Sequence, residues 1–294
     1  MNPPSTWSRG AGTGALLAVV AMIFAQFGMA ISVGVIKEVG PEGATWLRLF
    51  WAAILFVLLG RPHPGRFTRA TLRAGALLGV ATAGLTLSFM AAAARLPLGT
   101  ATALEFLGPL TLAVVHGRGR SPVWPGLAAV GVVCITEPWQ ASSDLLGILY
   151  TLAAAVCWAV YIVLTQRMSD AVAGFGGLAI SMPVAALVAT GAAYHSIVSM
   201  DVRLLATGIG IALLLPVIPV SLEIQSLRSL NLAAFGTLVA LEPAVALLVG
   251  LIVLDQTPGT LSIVGIGLVV LAGVGAARTG ARGADPVVVA EDPP

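Results

Sequence analysis

Apolar runs alternate with short breaks of charge, Pro and Gly along almost the whole of this 294-residue chain. A helix needs roughly 17–25 mostly apolar residues to cross a bilayer. With charges, Pro and Gly as boundaries, the pattern predicts ten such helices. They fall at residues 14–36, 43–59, 72–94, 97–115, 122–137, 145–166, 175–195, 204–227, 230–254 and 258–277. Residues 1–13 precede them, and the tail 278–294, rich in Gly, Pro and Asp, is expected to be disordered. The first run has no small-residue cleavage site after a short apolar core, so a retained helix rather than a signal peptide is expected.

Two runs carry polar residues at bilayer depth. Residues 99–115, GTATALEFLGPLTLAVV, hold Glu105 near the middle, and Pro109 removes the hydrogen bond that would close on the Glu105 carbonyl. Residues 235–253, FGTLVALEPAVALLVGLIV, hold Glu242 followed directly by Pro243. A carboxylate in hydrocarbon costs at least a few kcal/mol and marks a functional site by default. Two such segments in one chain suggest a duplicated membrane protein with a polar site between its halves, the signature of a transporter.

Composition agrees. The chain is 58% hydrophobic and 10% charged, against about 25% charged residues in a soluble domain. A net charge of +2 implies no nucleic-acid partner. Cys134 and Cys157 lie inside apolar runs as small core residues, and no metal spacing, disulfide framework or cofactor motif occurs. Of the 15 basic residues, eleven fall in alternate loops and termini on one side, Arg9, Arg61, Arg66, Arg69 and Arg73 among them. Lys37, Arg95 and Arg203 fall on the other side, and Arg48 lies within a helix. By the positive-inside rule this places both termini in the cytoplasm of a multi-pass protein of the inner or plasma membrane.

Aligning Pro109 with Pro243 gives an internal offset of 134 residues, and aligning the two Ala-Leu-Glu triplets gives 137. Each half, 14–137 and 145–277, then holds five helices. An odd number forces the second half to enter from the opposite side. The expected fold is therefore all-α, ten transmembrane helices as two inverted five-helix repeats, with a binding site near the midplane and alternating access by rocking of the halves.

Residues 43–48 (GATWLR), 96–109 (LPLGTATALEFLGP), 156–167 (VCWAVYIVLTQR), 218–223 (IPVSLE) and 235–243 (FGTLVALEP) resemble the drug/metabolite transporter superfamily, in its EamA-type branch. More narrowly, they resemble the threonine/homoserine exporter group. The likeness spans about residues 14–277, with Val220 where an aromatic is usual and Asp255 where Glu is usual. It implies export of small neutral amino acids from the cytoplasm, with a proton as candidate coupling ion. The alternative is export of another small metabolite or an amphipathic toxic compound by the same fold.

The candidate residues each have a plainer role to set beside a functional one. Glu105 and Glu242 suit a substrate ammonium or a coupling proton; otherwise each is a neutral carboxyl bonded to a neighbouring helix. Arg48 suits a substrate carboxylate or a buried Glu, or it snorkels to the headgroups. Glu223 follows Pro216 and Pro219 with Ser221 and Gln225 beside it, a broken helix with a polar cluster that fits a cavity lining. Trp158 and Tyr161 share a helix face, as cavity wall or aromatic packing, and Gln26 lies at a corresponding depth in the first helix. Pro109, Pro243 and Pro219 are the expected breaks or hinges. An intramembrane enzyme is disfavoured, since no His-Glu-x-x-His motif and no Ser or Cys paired with His occurs; no phosphate-binding Gly-x-x-x-x-Gly-Lys-Ser/Thr loop is present either.

Overall fold

The computed structural model describes residues 9–61, 67–116, 123–136, 144–172, 175–227, 235 and 238–281. Among these the regular elements are all helices. The first, α1 (Arg9–Gly60), is two helices joined at Gly40, whose φ of 72° and ψ of 170° interrupt the spiral just before Pro41. Glycine takes the positive φ without a Cβ penalty, and proline opens the next helix where its missing N–H is not needed. The break falls between the first two predicted spans.

After α2 (Arg69–Ala93), capped by the Thr68 hydroxyl accepting from the Thr71 N–H, come α3 (Leu98–Glu105) and α4 (Leu107–His116). These two halves of the fourth predicted span part at Phe106, where Pro109 leaves the Glu105 carbonyl without its helical donor. Then follow α5 (Val123–Thr136), α6 (Leu145–Ala171), α7 (Gly176–Ala192) and the single turn α8 (Tyr194–Ile197). The eighth predicted span is also broken. It comprises α9 (Val202–Ala212), a π-helical turn at Leu213–Val217 in which Leu215 is extended before Pro216, and α10 (Ile218–Leu227). The chain closes with α11 (Glu242–Val253) and α12 (Thr260–Ala281).

Differences from the sequence pattern lie at element ends. Helix α1 begins at Arg9, before residue 14, and α6 runs to Ala171, beyond residue 166. The seventh span does not continue to residue 195 but stops at Ala192, with α8 starting afresh. Helix α12 reaches Ala281, so residues 278–281 are helical where disorder was expected; 282–294 lie outside the described residues. Residues 230–234, 236 and 237, at the start of the ninth span, also lie outside them.

Four described stretches are long and apolar enough to cross a membrane: Gly12–Gly60, Arg69–Ala93, Leu145–Met168 and Val202–Glu223. The outer surface suits hydrocarbon. Leu16, Leu58, Val115, Leu187 and Ile252 are each more than half exposed.

Inside, α2 packs along α6 and α7, and α1 along α7, α9 and α10. Helix α5 lies on α12, and α3 on α11. One apolar cluster joins the second half of α1 to α7 and α9 through Leu47, Leu49, Phe56, Met182 and Ile211. A second surrounds the α3–α4 break through Leu104, Phe106, Leu110, Ile266 and Val269. Helix α4 meets α6 so closely that a Cβ on Gly108 would lie 2.2 Å from the Ala155 carbonyl oxygen, so small residues let these backbones touch.

Candidate functional site

The broken helices converge on one cavity of about 430 Å³, within the roughly 300–1,000 Å³ usual for small-molecule sites. Helix α1 contributes Met22, Gln26 and Arg48, and α2 contributes Thr82, Thr86 and Phe89. Thr102, Glu105 and Pro109 come from α3 and α4, Trp158 and Tyr161 from α6. Pro216, Pro219 and Glu223 come from the π-helical turn and α10, and Phe235 and Glu242 from the last third of the chain.

The three carboxylates are each placed at or beside a local break. Glu105 is the last residue of α3 and Glu242 the first of α11. Neither interrupts a continuous helix in lipid; both sit where the backbone already departs from the ladder and faces the cavity, the setting in which irregular backbone is tolerated at depth. Glu223 stands one turn after Pro219, past the π-helical turn. Arg48 lies about two turns beyond the Gly40–Pro41 break, well within the second half of α1.

The charged groups differ in how far the protein itself satisfies them. Glu242 accepts a hydrogen bond from Gln26 Nε2 at 3.1 Å. Glu105 lies within electrostatic reach of both Glu242 and Arg48, and Tyr161 within reach of Glu223 and Arg48. Yet among the described residues Arg48 makes no ion pair, and its Nε is buried with no partner. One unpaired guanidinium and three carboxylates therefore share a single cavity. Phe106, at the α3–α4 break, packs edge-on against Trp158 with ring centroids 6.3 Å apart and fixes that wall.

The structure thus brings together Glu105, Glu242, Glu223, Arg48, Trp158, Tyr161 and Gln26, with Pro109 and Pro219 beside them. It does not bring Ser221, whose hydroxyl donates to the Val217 carbonyl at 2.7 Å, nor Pro243, buried at the first turn of α11. Sequence reasoning missed Thr82, Thr86, Thr102 and Phe89. A signal for Thr82, Thr86 and Phe89 existed. At the 134-residue offset, Thr82, Leu85, Thr86 and Phe89 correspond to Pro216, Pro219, Val220 and Glu223, and all eight line the cavity. Arg48 corresponds in the same way to Met182, another lining residue. Among the described residues no cluster of His, Cys, Asp and Glu is arranged to hold a metal ion.

Residues 145–277 match the EamA-like transporter family. The threonine/homoserine exporter RhtA of Escherichia coli is 32% identical over 275 residues, which cover 90% of this chain and 91% of that protein. RhtA of Salmonella typhimurium is 31% identical over 274 residues with the same coverage. A solved crystal structure superposes with a TM-score of 0.59 at 16% identity, over 92% of this chain and 98% of its own, a likeness of fold.

Proposed function

The chain belongs to the EamA-like transporter family, and we propose that it exports small neutral amino acids of the threonine or homoserine kind out of the cytoplasm. It is a multi-pass membrane protein, and its relatives are exporters. The observation that carries the substrate reading is the pairing of opposites around one cavity. Among the described residues Arg48 makes no ion pair and Glu105 accepts no hydrogen bond. A zwitterion supplies what each lacks: its carboxylate meets the planar guanidinium and its ammonium meets the glutamates.

Transport works by alternating access between two inverted repeats, 14–137 and 145–277, with both termini cytoplasmic in the cell's inner or plasma membrane. The offset that superposes cavity-lining positions of α2 on those of the Leu213–Val217 turn and α10 supports this duplication. So does the packing: α2 lies on α6 as α10 lies on α1, and α5 on α12, α3 on α11 are pairs that a two-fold axis maps onto themselves. Glu105 is the group through which a proton is exchanged for substrate, since it ends a helix inside the cavity and neighbours both Arg48 and Glu242.

The test is uptake of labelled threonine, homoserine and alanine by the purified protein in liposomes. Saturable uptake of the hydroxylated amino acids supports the reading. Movement of none of them by folded protein contradicts it and leaves export of another metabolite or amphipathic compound.

A further inference from the structure

We infer that Thr102, together with the side-chain oxygen of Gln26, reads the hydroxyl of the transported amino acid and sets the preference for hydroxylated over apolar substrates. The inference rests on the amino-acid export reading and deepens it.

Threonines in this chain normally satisfy themselves. Thr45, Thr82, Thr86, Thr111 and Thr151 each donate to the carbonyl four residues back, at 2.7–2.9 Å. That back-bond is the ordinary fate of a hydroxyl in an apolar helix. Thr102 departs from it. It is only 2% exposed, its hydroxyl is buried with no partner, and it lines the cavity one turn before Glu105. Gln26, from α1, repeats the pattern. It is 4% exposed and its Nε2 is held by Glu242, while its Oε1 is buried without a donor.

Buried polar atoms are almost always bonded, and each exception calls for a reason. Here two of the exceptions belong to residues that line the same cavity, and they are complementary in chemistry. The Thr102 hydroxyl donates or accepts, whereas an amide oxygen only accepts. A substrate hydroxyl that donates to Gln26 Oε1 and accepts from Thr102 completes both. Valine, which has a methyl in place of the threonine hydroxyl, leaves both unpaired, and a site built to bond a hydroxyl rejects the analogue lacking it for that reason. Gln26 is also fixed in orientation by Glu242, so its oxygen is presented without a search through rotamers.

The test is competition between threonine and valine for uptake into liposomes by wild type, Thr102→Val, Thr102→Ala and Thr102→Ser. Wild type is expected to favour threonine. Thr102→Val is expected to lower that preference roughly three- to tenfold, the range of one neutral hydrogen bond, with valine uptake retained. Thr102→Ser restores the preference, which a packing role for the threonine methyl does not explain. If Thr102→Val folds poorly, Thr102→Ala carries the same expectation, and the rise in Tm given by threonine relative to valine in detergent reads it without transport. An unchanged preference in the variants, or no preference in wild type, overturns the inference while leaving amino-acid export standing. Uptake of neither amino acid by wild type overturns export and the inference together.

Discussion

Arg48 carries a heavy cost and so a clear obligation. A guanidinium at bilayer depth costs about 2.5–3.5 kcal/mol on insertion scales, and here no internal carboxylate pairs with it. Arg48→Lys keeps the charge and loses the planar fork, so the KM for threonine is expected to rise about tenfold, read from initial uptake rates. Most of the site's residues were legible in the sequence for the same reason. Glu105, Glu242, Glu223 and Arg48 stand out because charge in an apolar run is costly and calls for a reason. The threonines were not legible, because a threonine that back-bonds and one that faces a ligand look alike in sequence; Ser221 misled in the opposite direction, its hydroxyl being spent on the Val217 carbonyl.

At the scale of elements, the breaks matter more than the spans. The Gly40–Pro41, Phe106 and Leu213–Val217 interruptions each have a proline in them or within one turn. Helix ends were less legible because they depend on caps and tertiary contact, as the extra residues of α6 and α12 illustrate. Close helix contact makes a sharp prediction. A side chain on Gly108 meets backbone rather than a flexible neighbour, so Gly108→Leu is expected to abolish the monodisperse peak in detergent chromatography, whereas the same change at Gly126, where a Cβ meets nothing within 4 Å, leaves it intact. A second prediction concerns Asp144, the N-cap of α6. The Gly147 N–H, and then the Arg95 guanidinium at 3.0 Å, hold its carboxyl below the ordinary aspartate value. A lowered folded-state pKa gives stability present above the unfolded value and lost as pH falls through the folded one. The Tm gap between wild type and Asp144→Asn is therefore expected to stay constant from pH 7 to about 5 and to close below the ordinary aspartate pKa of about 4, as both side chains become neutral.

For the molecule as a whole, the two halves meet in two ways. Around the cavity they share buried apolar surface; at the loops assigned to the outer side they are joined by exposed ion pairs, Arg95 with Asp144 and Arg203 with Glu38 at 2.5 Å. Exposed pairs contribute little to stability, so they tie the halves without locking them, as rocking requires. Arg203→Ala is accordingly expected to leave Tm within a few degrees of wild type. The two Glu–Pro segments behind the proposed duplication were visible in the sequence, but which positions line the cavity was not, since periodicity does not say which face of an all-apolar helix looks inward. The central claim is that Glu105 couples substrate to protons inside that cavity. Its most direct test is threonine uptake into liposomes with and without an imposed pH gradient, comparing wild type with Glu105→Gln. The account predicts uptake that follows the gradient in wild type and at least a tenfold loss of that dependence in the variant. Equal, gradient-driven uptake by both proteins would contradict it.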